Sequence, residues 1–65
     1  MTGAEYRTAL TALGLSQLAA GRWLGVSNKT AQNYATVGPS GPAARAIRLL
    51  LSLPEGQRAK ALADL

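Results

Sequence analysis

Gln17 to Thr36 reads QLAAGRWLGVSNKTAQNYAT, and this stretch decides the fold. A helical segment from Gln17 to Leu24 is followed by Leu24-Gly25-Val26-Ser27 and then by a second, short helical segment from Asn28 to about Ala35. Gly25 stands where a tight turn needs positive φ, Val26 supplies an apolar residue to bury, and Ser27 is an N-cap for the second segment. Ser16 plays the same capping part for the first segment: its hydroxyl can accept from a free amide of the opening turn.

Outward from this span the chain continues to read as helix. Thirteen Ala and eleven Leu in 65 residues favour that state, and no window alternates apolar and polar residues as a strand would. A helix from Gly3 to Leu13 puts Tyr6, Ala9, Leu10 and Leu13 on one stripe, and Gly14 stops it. After Ala35, the run Thr36-Val37-Gly38-Pro39-Ser40-Gly41 forces a loop. Pro42 suits the first turn of a fourth helix that extends to about Ser52, because its missing amide proton is unused there. Pro54 opens a fifth by the same logic, running towards Leu65 with Gly56 as its weak point and Ala59, Leu62 and Ala63 as its apolar stripe. The expectation is an all-α, compact five-helix domain spanning residues 1–65.

Composition narrows the function classes. The chain has no Cys and no His, which removes disulfide scaffolds, thiolate zinc sites, Cys nucleophiles and the commonest general base. Three carboxylates, Glu5, Glu55 and Asp64, lie near the two ends and form no local constellation. An enzyme is not expected, and neither a cofactor, a metal nor a small-molecule ligand is implied. Hydrophobic residues make up 48%, too many for a disordered basic tail. No apolar run approaches the roughly 18 residues of a membrane span, and MTGAEYRTAL has no secretion pattern. A soluble, cytoplasmic protein is the expectation.

Charge is distributed unevenly. The formal net charge is +4, and between Tyr6 and Pro54 no acidic residue occurs while Arg7, Arg22, Lys29, Arg45 and Arg48 do. Such a stretch suits phosphate contact through counterion release, although a solvated basic surface has the same composition. Geometry separates the two. Helices joined by so tight a turn cross steeply, so the first can lie over a sugar-phosphate backbone while the second enters the major groove.

At this point the sequence resembles the helix-turn-helix DNA-binding domains of the Cro and repressor type, the Xre-like, lambda repressor-like family. Leu13-Gly14-Leu15-Ser16-Gln17 is similar to the family's lead into its second helix. Gln17 matches its frequent leading Gln, Ala20 and Leu24 its packing positions, Gly25 its turn Gly and Val26 the buried residue after it. Ala31 and Tyr34 match the inward face of the recognition helix. The departures are Gly21, where the family prefers Ala, and the pair Ala31 and Tyr34, respectively smaller and larger than usual. Gly21 keeps a close helix contact while loosening its helix by up to about 1 kcal/mol; Ala31 and Tyr34 could offset each other in volume. The resemblance covers essentially the whole chain and implies a prokaryotic or phage-type regulator of transcription.

The recognition face can be derived without the family. At about 100° per residue, Ala31 and Tyr34 lie roughly 60° apart with Ser27 between them, so this face points inward. Opposite them sit Lys29, Gln32 and Asn33, with Asn28 on the flank. Asn and Gln can pair in bidentate fashion with adenine, and Lys can donate to guanine, so these four are the candidate base-reading residues. Candidate phosphate contacts are Ser16 and Gln17 at a helix start, Arg22, Ser27, and Ser40 before the fourth helix, with Gln17 added by the family resemblance. Arg45 and Arg48 could assist there or stay solvated. Trp23 has local packing under the loop Val37 to Pro39 as its first reading, with a subunit contact or the DNA sugar edge as alternatives.

One short recognition helix touches few base pairs, so a homodimer on an inverted-repeat site of double-stranded DNA is expected. Leu49-Leu50-Leu51 covers about 200° of helix surface and cannot all face one small core. The candidate interface is Leu50, Leu53, Leu62 and Leu65. The expected function is a small DNA-binding repressor. A protein-binding helical module, such as an antitoxin or adaptor, is the alternative from another class, and non-specific DNA packaging is a third.

Overall fold

A computed structural model describes residues 1–63, and the stripes and caps read from the sequence resolve there into five helices and no strand. These are α1 (Gly3–Leu13), α2 (Gln17–Leu24), α3 (Asn28–Thr36), α4 (Gly41–Ser52) and α5 (Glu55–Leu62). None of them is long and apolar enough to cross a membrane. Each of the first four begins with a hydroxyl cap. Thr2 and Glu5 form a reciprocal capping box on α1, in which the Thr2 amide donates to Glu5 Oε1 at 2.8 Å and the Glu5 amide to Thr2 Oγ1 at 3.1 Å. The hydrogen bond from the Thr2 amide, joined by the one from the Thr2 side chain, holds the Glu5 carboxyl below its ordinary pKa. Ser16, Ser27 and Ser40 accept from the amides of Ala19, Thr30 and Ala43, as their place before each helix requires.

Period 3.6 then decides what is buried. Tyr6, Ala9, Leu10 and Leu13 of α1 all lie in the core, where they meet Ala20 of α2, Ala35 of α3, and Ile47 and Leu50 of α4. α1 contacts α2, α3 and α4, whereas α5 packs on α4. The first helix also fixes the far end of α3 directly. Arg7 Nη1 donates to the Ala35 carbonyl at 3.0 Å, Gly3 lies against the Thr36 carbonyl, and the Tyr6 and Tyr34 rings meet edge-on at 6.0 Å and 83°. The Arg7 guanidinium thus satisfies one of the carbonyls that a helix C-terminus leaves free.

Tyr6 is fully buried and its phenol oxygen has no hydrogen-bond partner among the described residues. Burial, with Tyr34 as a second cause, pushes its pKa above the ordinary 10.0. A raised folded-state pKa gives a contribution that is complete below the unfolded value and lost as pH rises through the folded one. Tyr6→Phe is therefore expected to be neutral or to stabilise by up to about 1 kcal/mol near neutral pH, since it deletes an unsatisfied buried hydroxyl. It should also flatten the alkaline loss of stability. Urea titrations near neutrality and above the ordinary tyrosine pKa test both; a clear loss near neutrality would mean that the hydroxyl is bonded.

Several sequence expectations need adjustment. α3 extends to Thr36, α4 starts at Gly41, and Pro54 is the N-cap of α5 rather than its first residue. α5 ends at Leu62, short of the run towards Leu65; Asp64 and Leu65 lie outside the described residues. Its phase also differs. Ala61 and Leu62 are half-buried against the core while Ala59 and Ala63 are exposed, because a helix of alternating Ala and charge carries too weak a stripe to fix its own rotation. Ser27 is exposed rather than inward, its hydroxyl held by Thr30, and Val26 is half-buried.

Candidate nucleic-acid interface

α2 stops at Gly25, whose φ of 77° is the left-handed conformation that ends a helix without a Cβ clash. The Gly25 amide bonds to the Arg22 carbonyl at 3.1 Å and the Val26 amide to the Gly21 carbonyl at 3.0 Å, a pair of bonds that closes the last turn. Ser27 starts α3 two residues later. The two helices then approach closely: a Cβ on Gly21 would sit 2.6 Å from the Ala31 Cβ. Gly21 thus makes room for the Ala31 methyl. The small volume of Ala31 is taken up by this approach, while Tyr34 turns to Tyr6 and to Ser40, its hydroxyl 3.2 Å from Ser40 Oγ.

With Ala31 and Ala35 buried and Tyr34 half-buried, the opposite side of α3 is free. Asn28, Lys29, Gln32 and Asn33 are all exposed. Among the described residues, the side-chain hydrogen bonds to and from α3 are made by Arg7, Ser27, Thr30, Tyr34 and Thr36, so these four amide and ammonium groups keep their donors and acceptors. The exposed side chains of α3 offer hydrogen bonding and carry no negative charge, and the chain has no acid between Tyr6 and Pro54.

The residues expected to touch phosphate divide into groups. Ser16 and Gln17 line an open cleft with Arg7 and Thr11, and Gln17 also borders the cleft that it shares with Leu18, Asn28, Ala31 and Gln32. Gln17 is therefore placed beside the base-reading candidates. Ser27 is exposed at the start of α3, Arg22 is exposed in the last turn of α2, and Ser40 is exposed at the start of α4 beside Tyr34. Arg45 and Arg48 border a different cleft with Pro42 and Leu49.

Trp23 and the leucines required correction. Trp23 does not pack under the loop Val37 to Pro39: its Nε1 donates to the Ala61 carbonyl of α5 at 3.0 Å. Leu50 is only 2% exposed and belongs to the core, so it cannot form a subunit surface. Leu53 and Leu62 are half-buried against the same core, and Leu65 lies outside the described residues. The residue left outside is Leu49, 61% exposed. With Trp23, Ala46, Leu53 and Ala61 it lines an apolar groove of ≈ 400 Å³. Leu49-Leu50-Leu51 does divide as helix geometry demands, but sequence alone did not fix which leucine faces out. Exposed Leu18 is a second residue that sequence reasoning missed; an apolar residue between polar Gln17 and small Ala19 gave little signal.

No protein-family model, curated protein or solved structure matches the chain.

Proposed function

We propose that the protein is a sequence-specific, double-stranded DNA-binding transcriptional regulator. In this reading it is a small repressor acting as a homodimer on an inverted-repeat operator, and α2, the Gly25 turn and α3 act as a helix-turn-helix. The observation that carries the reading is the outer face of α3, where Asn28, Lys29, Gln32 and Asn33 stand exposed on a helix without an acidic residue. A helix face of this chemistry fits the major groove, where adenine and guanine edges present what amides and an ammonium group can pair with. Gln17, Ser16, Ser27, Arg22 and Ser40 supply backbone contacts around it, which position the helix without reading sequence. Exposed Leu49 and the groove beside Trp23 offer apolar surface for a second copy, and two copies place recognition helices about 34 Å apart on one side of the duplex.

Selection of bound sequences from a random duplex pool tests this directly. The expected product is an inverted repeat whose half-site centres lie about 10–10.5 base pairs apart, or a multiple of that. Log affinity for it should fall with log salt. Lys29→Ala and Gln32→Ala should each weaken binding by about 1–3 kcal/mol and relax preference at one position per half-site, with helicity unchanged. Equal affinity for unrelated duplexes would instead support packaging. Both variants binding the selected site as tightly as the parent would remove the base-reading assignment.

A further inference from the structure

The geometry points to Leu18 as a residue that reads DNA, by seating the 5-methyl group of a thymine in the cleft between the start of α2 and the outer face of α3. This role rests on the proposed DNA-binding function. Leu18 lies one turn before Gly21 on α2, on the side turned to α3. It is 43% exposed and takes no part in the core cluster, so filling the core does not account for an apolar side chain there.

The surroundings of Leu18 specify an occupant. Together with Gln17, Asn28, Ala31 and Gln32 it lines a cleft of ≈ 270 Å³. Ala31 is 2% exposed and contributes a buried methyl, while the other three bring neutral amides, and no titratable group among the described residues borders the cleft. Exposed Lys29 follows Asn28 on the same helix, and no acid lies nearby in the chain. An occupant matched to this setting carries a small apolar group beside a hydrogen-bonding edge and belongs to an anionic polymer. An adenine·thymine pair seen from the major groove has that combination: adenine N6 and N7 for an amide of Asn28 or Gln32, and the thymine methyl beside them. Cytosine in the same place offers only a C5–H where thymine carries its methyl, and its guanine partner presents O6 where adenine presents the N6 donor.

The test uses the operator obtained by selection, with each thymine replaced in turn by deoxyuridine, which deletes the methyl and keeps the base pair. With the parent protein, one symmetry-related position should lose about three- to fivefold in affinity per methyl, the scale of one buried methyl group. With Leu18→Ala that loss should disappear, while the effect of every other replacement stays as in the parent. Because Leu18 is outside the core, Leu18→Ala should keep the parent's helicity and lower the melting temperature by no more than about 8 °C, so the comparison is between folded proteins. A deletion profile identical in the two proteins overturns the inference. So does a profile in which no thymine matters, and then the α3 base-reading assignment still stands provided that Lys29→Ala and Gln32→Ala alter preference. If selection yields no preferred duplex, both readings fall together.

Discussion

Replacing Trp23 with Ala is expected to lower the melting temperature by about 10–20 °C and to release α5 from the rest of the domain. The reason lies in how little else holds that helix. α5 has eight residues, no fully buried side chain and no side-chain N-cap, and an isolated helix of that length does not persist in water. It has two anchors. Arg58 Nη2 donates to the Leu51 and Leu53 carbonyls at 3.1 and 3.4 Å, tying α5 back to the end of α4. The other is Trp23, whose ring packs against the core and whose Nε1 donates to the Ala61 carbonyl in the last turn of α5.

Truncating a buried Trp costs about 3–5 kcal/mol; for this half-buried ring a smaller loss, about 2–3 kcal/mol, is appropriate. A 65-residue domain has a total stability of only about 3–10 kcal/mol, so the loss is a large fraction of the whole. Trp23→Phe should cost less, about 1–2 kcal/mol, since the ring area is largely kept and the hydrogen bond is lost. Amide hydrogen exchange separates the effects: protection should collapse first in α5 for Trp23→Ala, with α1 and α4 the last to open. Uniform loss of protection would mean that α5 is not a separable unit. Since Trp23 also lines the groove beside Leu49, the same variant should bind an inverted repeat less cooperatively if that groove holds the second copy.

Features governed by local chemistry are legible in the sequence. Ser16, Ser27 and Ser40 cap helices because a hydroxyl three residues before a free amide needs no tertiary information. The α1 stripe is equally legible, since Tyr6, Leu10 and Leu13 are large and strongly periodic. The exposed face of α3 follows from angular arithmetic once Ala31 is placed inside. What sequence reasoning misses depends on tertiary choices. The outward leucine of α4 is decided by where α1 and Trp23 lie, and the rotation of α5 by Arg58 and Trp23 reaching across. Trp23 itself escapes for the same reason: sequence shows that a large ring needs a site, but its partner lies 38 residues away.

Gly21 shows the widest gap between local chemistry and tertiary packing. As a sequence feature it is a defect: Ala in its place should tighten α2 by about 1 kcal/mol. The structure reverses the sign. An added Cβ would lie 2.6 Å from the Ala31 Cβ, roughly 1 Å inside the usual carbon–carbon contact distance. Ala31 is 2% exposed and has no rotamer by which to move away. The helices must separate, and overpacking of this kind costs about 1–3 kcal/mol. Gly21→Ala is thus expected to be net destabilising by up to about 2 kcal/mol despite its gain in helix propensity. Under the proposed DNA-binding function its effect on DNA affinity should exceed that, because α3 is displaced relative to Gln17 and the α2 contacts that position it. Ala31→Gly alone should also destabilise, by removing the buried methyl and loosening α3. The two changes together move the methyl from one helix to the other across the same contact, so their costs should not add. A coupling energy of about 1–2 kcal/mol in the double-mutant cycle is the expected result, read from urea titrations. Additive losses would mean that α2 and α3 already have slack at this crossing, and the close approach could not then be what sets the pose of α3.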